Sequence, residues 1–208
     1  MGKFFNSRIF DGINKFADLM IICFYFWITS IPIFTIGASM TSLYYAVHKC
    51  VFKGRGYTTE YFHAFKDNFR QATFSWVIFL VLFAILTGDI YIMRNYISPD
   101  SPLAGGSMFF VVLLLLTIVW MIYHMAYIAR FANTFKASFK VSAVIMIANL
   151  GWSVLILLIV TVIFLAVNRL LILLVFVPAI ISGVLHPILE KVFRKYMSPE
   201  DLAKEDEI

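Results

Sequence analysis

The sequence predicts an all-α, polytopic membrane helix bundle with four clear spans, a broken first segment and amphipathic helices at the interface. Three observations carry this. The 208 residues are 62% hydrophobic and only 14% charged, with 22 Phe, whereas soluble domains run at about 45–50% apolar and about 25% charged. Four charge-free runs, Gln71 to Gly88, Leu103 to Ala129, Val141 to Asn168 and Leu170 to Leu189, are each long enough to cross a hydrocarbon core. Lys and Arg collect in short groups between these runs, as they do in cytoplasmic loops. The net charge of +5 is therefore read as topology, and nucleic acid is excluded as a partner in favour of the lipid bilayer. The connections are too short to fold alone, so residues 1–208 form a single membrane domain.

Residues 1–18 set Phe5, Ile9, Ile13 and Phe16 at helical spacing against Lys3, Ser7, Asp11, Lys15 and Asp18. The pattern fits a helix on the membrane surface, and equally one packed on the bundle. The apolar run that follows is much longer than the about 7–15 residues of a signal-peptide core, so no cleavable signal is expected. Asn6 stands where N-myristoylation of Gly2 needs Ser or Thr.

Residues 19–47 are the organising stretch. As one helix this run would be about 43 Å long against a hydrocarbon core of about 30 Å. It is interrupted between Thr29 and Ala38, where Pro32 and Gly37 sit. Two forms are open: one long kinked span, or a re-entrant hairpin of two half-helices. If the run turns back, 15 of the 17 Lys and Arg share one side of the membrane; if it crosses once, only 12 do. Charge favours the hairpin, with both termini cytoplasmic.

Beyond Val47, Lys53-Gly54-Arg55-Gly56 makes a turn, and Thr58 or Thr59 offers an N-cap ahead of Glu60. Residues 57–70 then place Phe62, Phe65 and Phe69 on one side and Glu60, Lys66, Asp67 and Arg70 elsewhere, the pattern of a second interfacial helix that turns into the next span. Trp76 falls at headgroup level. Residues 71–189 hold the four spans. Phe65-Lys66-Asp67-Asn68-Phe69-Arg70 is echoed by Phe135-Lys136-Ala137-Ser138-Phe139-Lys140, each before a span. The echo is read either as a parallel repeat or as the ordinary habit of basic interfacial helices. The loop Asn95 to Pro102 and the pair Asn168-Arg169 leave no room for a folded extracellular domain. Residues 190–208 form a cytoplasmic tail with a helix start at Ser198-Pro199-Glu200-Asp201 and a solvated acidic end.

Candidate functional residues are the polar and helix-breaking groups at membrane depth. They are Pro32, Thr35 and Gly37 with the hydroxyls of Thr29 and Ser30 at the break, then Asp89, His124, Asn149 and His186. An ionisable group there is a functional hypothesis by default. Asp89 is the sharpest, although an interfacial ion pair with Arg94 explains it as well. His124 and His186 lie on different spans and read as hydrogen-bonded packing residues rather than metal ligands. His186-Pro187 marks a kink. Cys23 and Cys50 lack CxxC spacing and read as free thiols. No HExxH, GxSxG, P-loop or paired intramembrane carboxylate is present. No enzyme, cofactor or metal is expected.

At Ser30-Ile31-Pro32, Thr35-Ile36-Gly37-Ala38 and Leu43-Tyr44-Tyr45, and again from Phe65 to Thr73 with Trp76, the chain resembles the YesL-like family of bacterial integral membrane proteins of unknown function. The resemblance implies a bacterial cell membrane but supplies no catalytic residue. Genes of that kind often lie beside carbohydrate ABC-transporter and sensor-kinase genes in Gram-positive bacteria, which implies an accessory role with an ABC permease or a sensor kinase as partner. The alternative is a small solute transporter or channel that uses the broken first segment.

Overall fold

The structure, a computed structural model, describes residues 2–52, 57–97, 105–198 and 202. Among the described residues there are seven α-helices and no strand. They are α1 (Gly2–Thr29), α2 (Ile36–Ala46), α3 (Tyr57–Asn95), α4 (Gly106–Arg130), α5 (Phe135–Ala148), α6 (Leu150–Arg169) and α7 (Val177–Phe193). A 3-10 turn at Ile33–Thr35 precedes α2, a π-helical turn at Val47–Phe52 follows it, and a 3-10 stretch at Leu171–Phe176 leads into α7. Four helical stretches are long and apolar enough to cross a membrane: Thr59–Asn95, Gly106–Arg130, Leu150–Arg169 and Leu171–Tyr196.

The first segment is a hairpin. Pro32 has no N–H to donate and forces the residue before it out of the helical region, so α1 ends at Thr29 and the chain reverses. The two arms are antiparallel. Thr29 meets Thr35 and Ser39 at the turn, while Ile22 and Cys23 pack on Leu43, Ala46 and Val47 further along. Small residues on α2 allow this closeness, as they do between membrane helices generally. A Cβ on Gly37 would lie 2.5 Å from Trp76 Cβ and 2.6 Å from the Ala72 carbonyl oxygen of α3.

Three details differ from the sequence expectation. No boundary falls at residue 18, since α1 is continuous through it. The interfacial helix expected at 57–70 does not turn into a span. It is the first part of α3, a single helix of 39 residues and about 58 Å. Its Trp76 is buried, packed against Gly37 of α2. The span expected over Val141 to Asn168 is two helices, broken at Asn149 (φ −121°, ψ 46°). There the side chain competes with the helix for its own backbone, with Nδ2 donating to Ile145 O at 2.9 Å. Ser153 Oγ takes up the neighbouring carbonyl of Met146 at 2.8 Å. Pro187, by contrast, does not end its helix: α7 continues past it to Phe193.

Side chains of Phe5, Ile9, Ile13, Cys50 and Thr58, the turn Lys53 to Gly56, residues 98–104 and the tail beyond Ser198, save Leu202, lie outside the described residues.

Candidate functional site

The break itself is held by a network of hydroxyls. Thr35 Oγ1 donates to the carbonyls of Thr29 and Pro32, both at 2.6 Å. Ser39 Oγ donates to Thr29 Oγ1 at 2.9 Å, and that oxygen also meets Tyr61 OH of α3 at 2.7 Å. Trp76 Nε1 donates to Ile33 O at 2.9 Å. The carbonyls freed by Pro32 are therefore answered by protein groups, the condition for irregular backbone at membrane depth. Pro32 is exposed at the turn, and Gly37 is buried against α3. Ser30 Oγ is buried and makes no hydrogen bond.

His124 is fully buried on α4. Its Nε2 meets Ser75 Oγ of α3 at 2.9 Å and its Nδ1 meets Ser142 Oγ of α5 at 3.1 Å. Phe139 packs on the ring at 4.0 Å between centroids. The imidazole thus bridges three helices through neutral hydroxyls. Asp89 is half-buried in the last turns of α3, with no ion pair to Arg94, and stands apart from every other candidate. Asn149 donates to Tyr196 OH at 2.7 Å and accepts from Lys195 Nζ at 3.3 Å.

His186 belongs to a different cluster, one built largely from residues that sequence reasoning passed over. On α7, His186 and Glu190 are one helical turn apart and share a buried face. Opposite them stand Tyr44 of α2 and His48 of the π-helical turn, and Arg130 enters from the last turn of α4. Glu190 Oε1 accepts from Tyr44 OH at 2.7 Å and lies 2.8 Å from Arg130 Nε. His48 Nδ1 and His186 Nε2 are 3.1 Å apart, and the two lie 3.6 Å and 3.8 Å from Glu190 Oε1. The Tyr44 and His186 rings pack at 4.8 Å between centroids, tilted by 36°. His48, His186 and Glu190 are all buried. Such a carboxylate is tolerable because Arg130 supplies its counter-charge and Tyr44 a hydrogen bond. The sequence signal was the His-x-x-x-Glu spacing at the end of the last apolar run. It was missed because Glu190 falls one residue past that run, in the tail, and His48 one residue past Val47.

Above this cluster, between α1, α2, α4 and α7, lies a cavity of about 420 Å3. It reaches from the break, at Ser30 and Ile36, down to Tyr44 and His186, with Met40, Met125 and other apolar side chains making up nearly all of its wall.

Residues 17–90 match the family model described as "Protein of unknown function, DUF624". The matched segment carries the hairpin, Tyr44, His48 and most of α3, and ends before Arg130, His186 and Glu190. No curated protein and no solved structure matches the chain.

Proposed function

We propose that this chain is a non-enzymatic membrane accessory protein that docks on a partner membrane complex through a basic face. The observation that carries this reading is the meeting of the two Phe-Lys segments. The first turn of α5 packs beside α3 just past the latter's Phe-Lys segment, about five turns into that helix, joined by Phe74 against Phe135 at 5.2 Å and by Gln71 Nε2 donating to Ser138 Oγ at 3.0 Å. Lys66, Arg70, Lys136 and Lys140 remain exposed around that junction. Four free cationic side chains on one rigid junction suit an acidic protein surface, where complementary charge sets specificity and encounter rate. The match over residues 17–90 is consistent with the YesL-like resemblance, from which a carbohydrate ABC permease or its sensor kinase is the partner class to test.

The cavity supports the same side of the choice. A path for a sugar or a hydrated ion needs polar groups along it, and this one is walled almost entirely by hydrocarbon while the carbonyls of Thr29, Pro32 and Ile33 are already engaged. The expected result is co-purification with an ABC permease or sensor kinase from the native membrane, lost when Lys66, Arg70, Lys136 and Lys140 are changed together to Glu. Flux of sugar or ions into liposomes that contain this protein alone would replace this reading with the transporter one.

A further inference from the structure

We propose that His48, His186 and Glu190 form a binding site for a divalent transition-metal ion of the zinc type. Their donor atoms make a triangle with sides of 3.1, 3.6 and 3.8 Å. A point about 2.0 Å from all three lies at its centre, and about 2.0–2.2 Å is the length of zinc bonds to imidazole and carboxylate. The three groups lie within one cluster whose ligand atoms are all within 4.8 Å of one another. The ion would enter without movement of the backbone.

The donor chemistry selects the metal. Two imidazoles and one carboxylate suit zinc and its transition-metal neighbours, whereas magnesium and calcium want oxygen ligands throughout. The ligand set matches that of zinc sites which keep a fourth position open. The site is also preassembled. Tyr44 and Arg130 hold the Glu190 carboxylate in place, the support that metal-ligating carboxylates commonly have. Tyr44 also packs against the His186 ring, 4.8 Å between centroids and tilted by 36°, which limits its rotation. His48 sits in the π-helical turn, a distortion that recurs at functional sites.

Binding needs one rearrangement within the cluster. The imidazole that now donates across the 3.1 Å gap shifts its proton to its other ring nitrogen, so both facing nitrogens become ligands. With Arg130 retained, the loaded cluster carries two net positive charges, and the fourth position takes hydroxide or another anion. The cavity wall at Tyr44 and His186 gives that position room. The ion would then tie the end of the first hairpin to α7, independently of any docking at the basic face.

The test uses untagged, chelator-treated protein in detergent, titrated with Co2+ alone and then displaced by Zn2+. One equivalent of Co2+ with the intense visible bands of a low-coordinate ion is expected. His48→Gln and His186→Gln should each weaken binding by more than about 100-fold, and Tyr44→Phe, which keeps the ring, by about 10-fold. His124→Gln, which removes a buried histidine outside the cluster, should leave binding unchanged. Failure of the wild type to bind one equivalent overturns the proposal, as does wild-type affinity in a monodisperse His48→Gln or His186→Gln protein. Should those variants not fold, the wild type alone decides. Zn2+ above its dissociation constant must raise its unfolding temperature, and no shift overturns the site.

Discussion

His124 and His186 are both buried, on helices long and apolar enough to cross a membrane, and their surroundings could hardly differ more. His124 is held by two serine hydroxyls and a phenylalanine face, with no charged group against it among the described residues. His186 faces a second imidazole, a carboxylate shared with a guanidinium, and a phenol. The first arrangement satisfies a polar group that packing has trapped. The second gathers groups that are costly to bury singly and become tolerable only together. A buried histidine is thus a poor signal of chemistry by itself, and its neighbours from other helices decide which kind it is.

The comparison can be broken by mutation, and the largest effect belongs on the charged side. Glu190→Ala would remove the carboxylate that faces the largely buried Arg130 and should lower unfolding free energy in detergent by about 3–5 kcal/mol. Adding Arg130→Met should recover most of that loss. If the double variant is no better than the single, the ion pair is not what makes the cluster tolerable. The neutral side is limited by shape, and its largest effect comes at the hairpin. Gly37→Ala would drive a methyl into Trp76 and the Ala72 carbonyl, costing about 1–3 kcal/mol by denaturant titration. Smallest is Ser75→Ala, which removes one hydroxyl from His124 and should cost about 0.6 kcal/mol, the mean for hydrogen bonds between membrane helices. A Ser75→Ala cost as large as that of Glu190→Ala would erase the distinction between the two histidines.

The membrane bundle and the break at Pro32 were legible in the sequence because both rest on local properties, hydropathy and a missing N–H. The split at Asn149 was not, because an asparagine can serve a helix or interrupt it, and only the partners Tyr196 and Ser153 tip the balance. His186 was legible as a candidate, yet its role was not. His48, Arg130 and Glu190 each stand at the edge of an apolar run, where charge counting files them as loop residues. Their convergence is tertiary: 138 positions separate His48 from His186 and 146 separate Tyr44 from Glu190. The role of Trp76 at the hairpin is tertiary in the same way, since its Nε1 donates to Ile33 O, 43 positions away.

The unbroken course of α3 has a consequence for how the chain meets its surroundings. At about 58 Å it is nearly twice the thickness of a hydrocarbon core of about 30 Å, so part of it must stand clear of the membrane. The exposed polar residues His63, Lys66, Asp67 and Arg70 mark which part. A separate amphipathic helix lies flat and reads lipid headgroups along its length. One that prolongs the axis of a span is a mast: it meets the headgroups only where it passes them and offers its flank to whatever stands beside it. The same residues, 57–70, that look like a membrane-surface helix on paper are thus, in this fold, the start of a longer post that is held a little further along by the packing of Ala72 and Trp76 on Gly37.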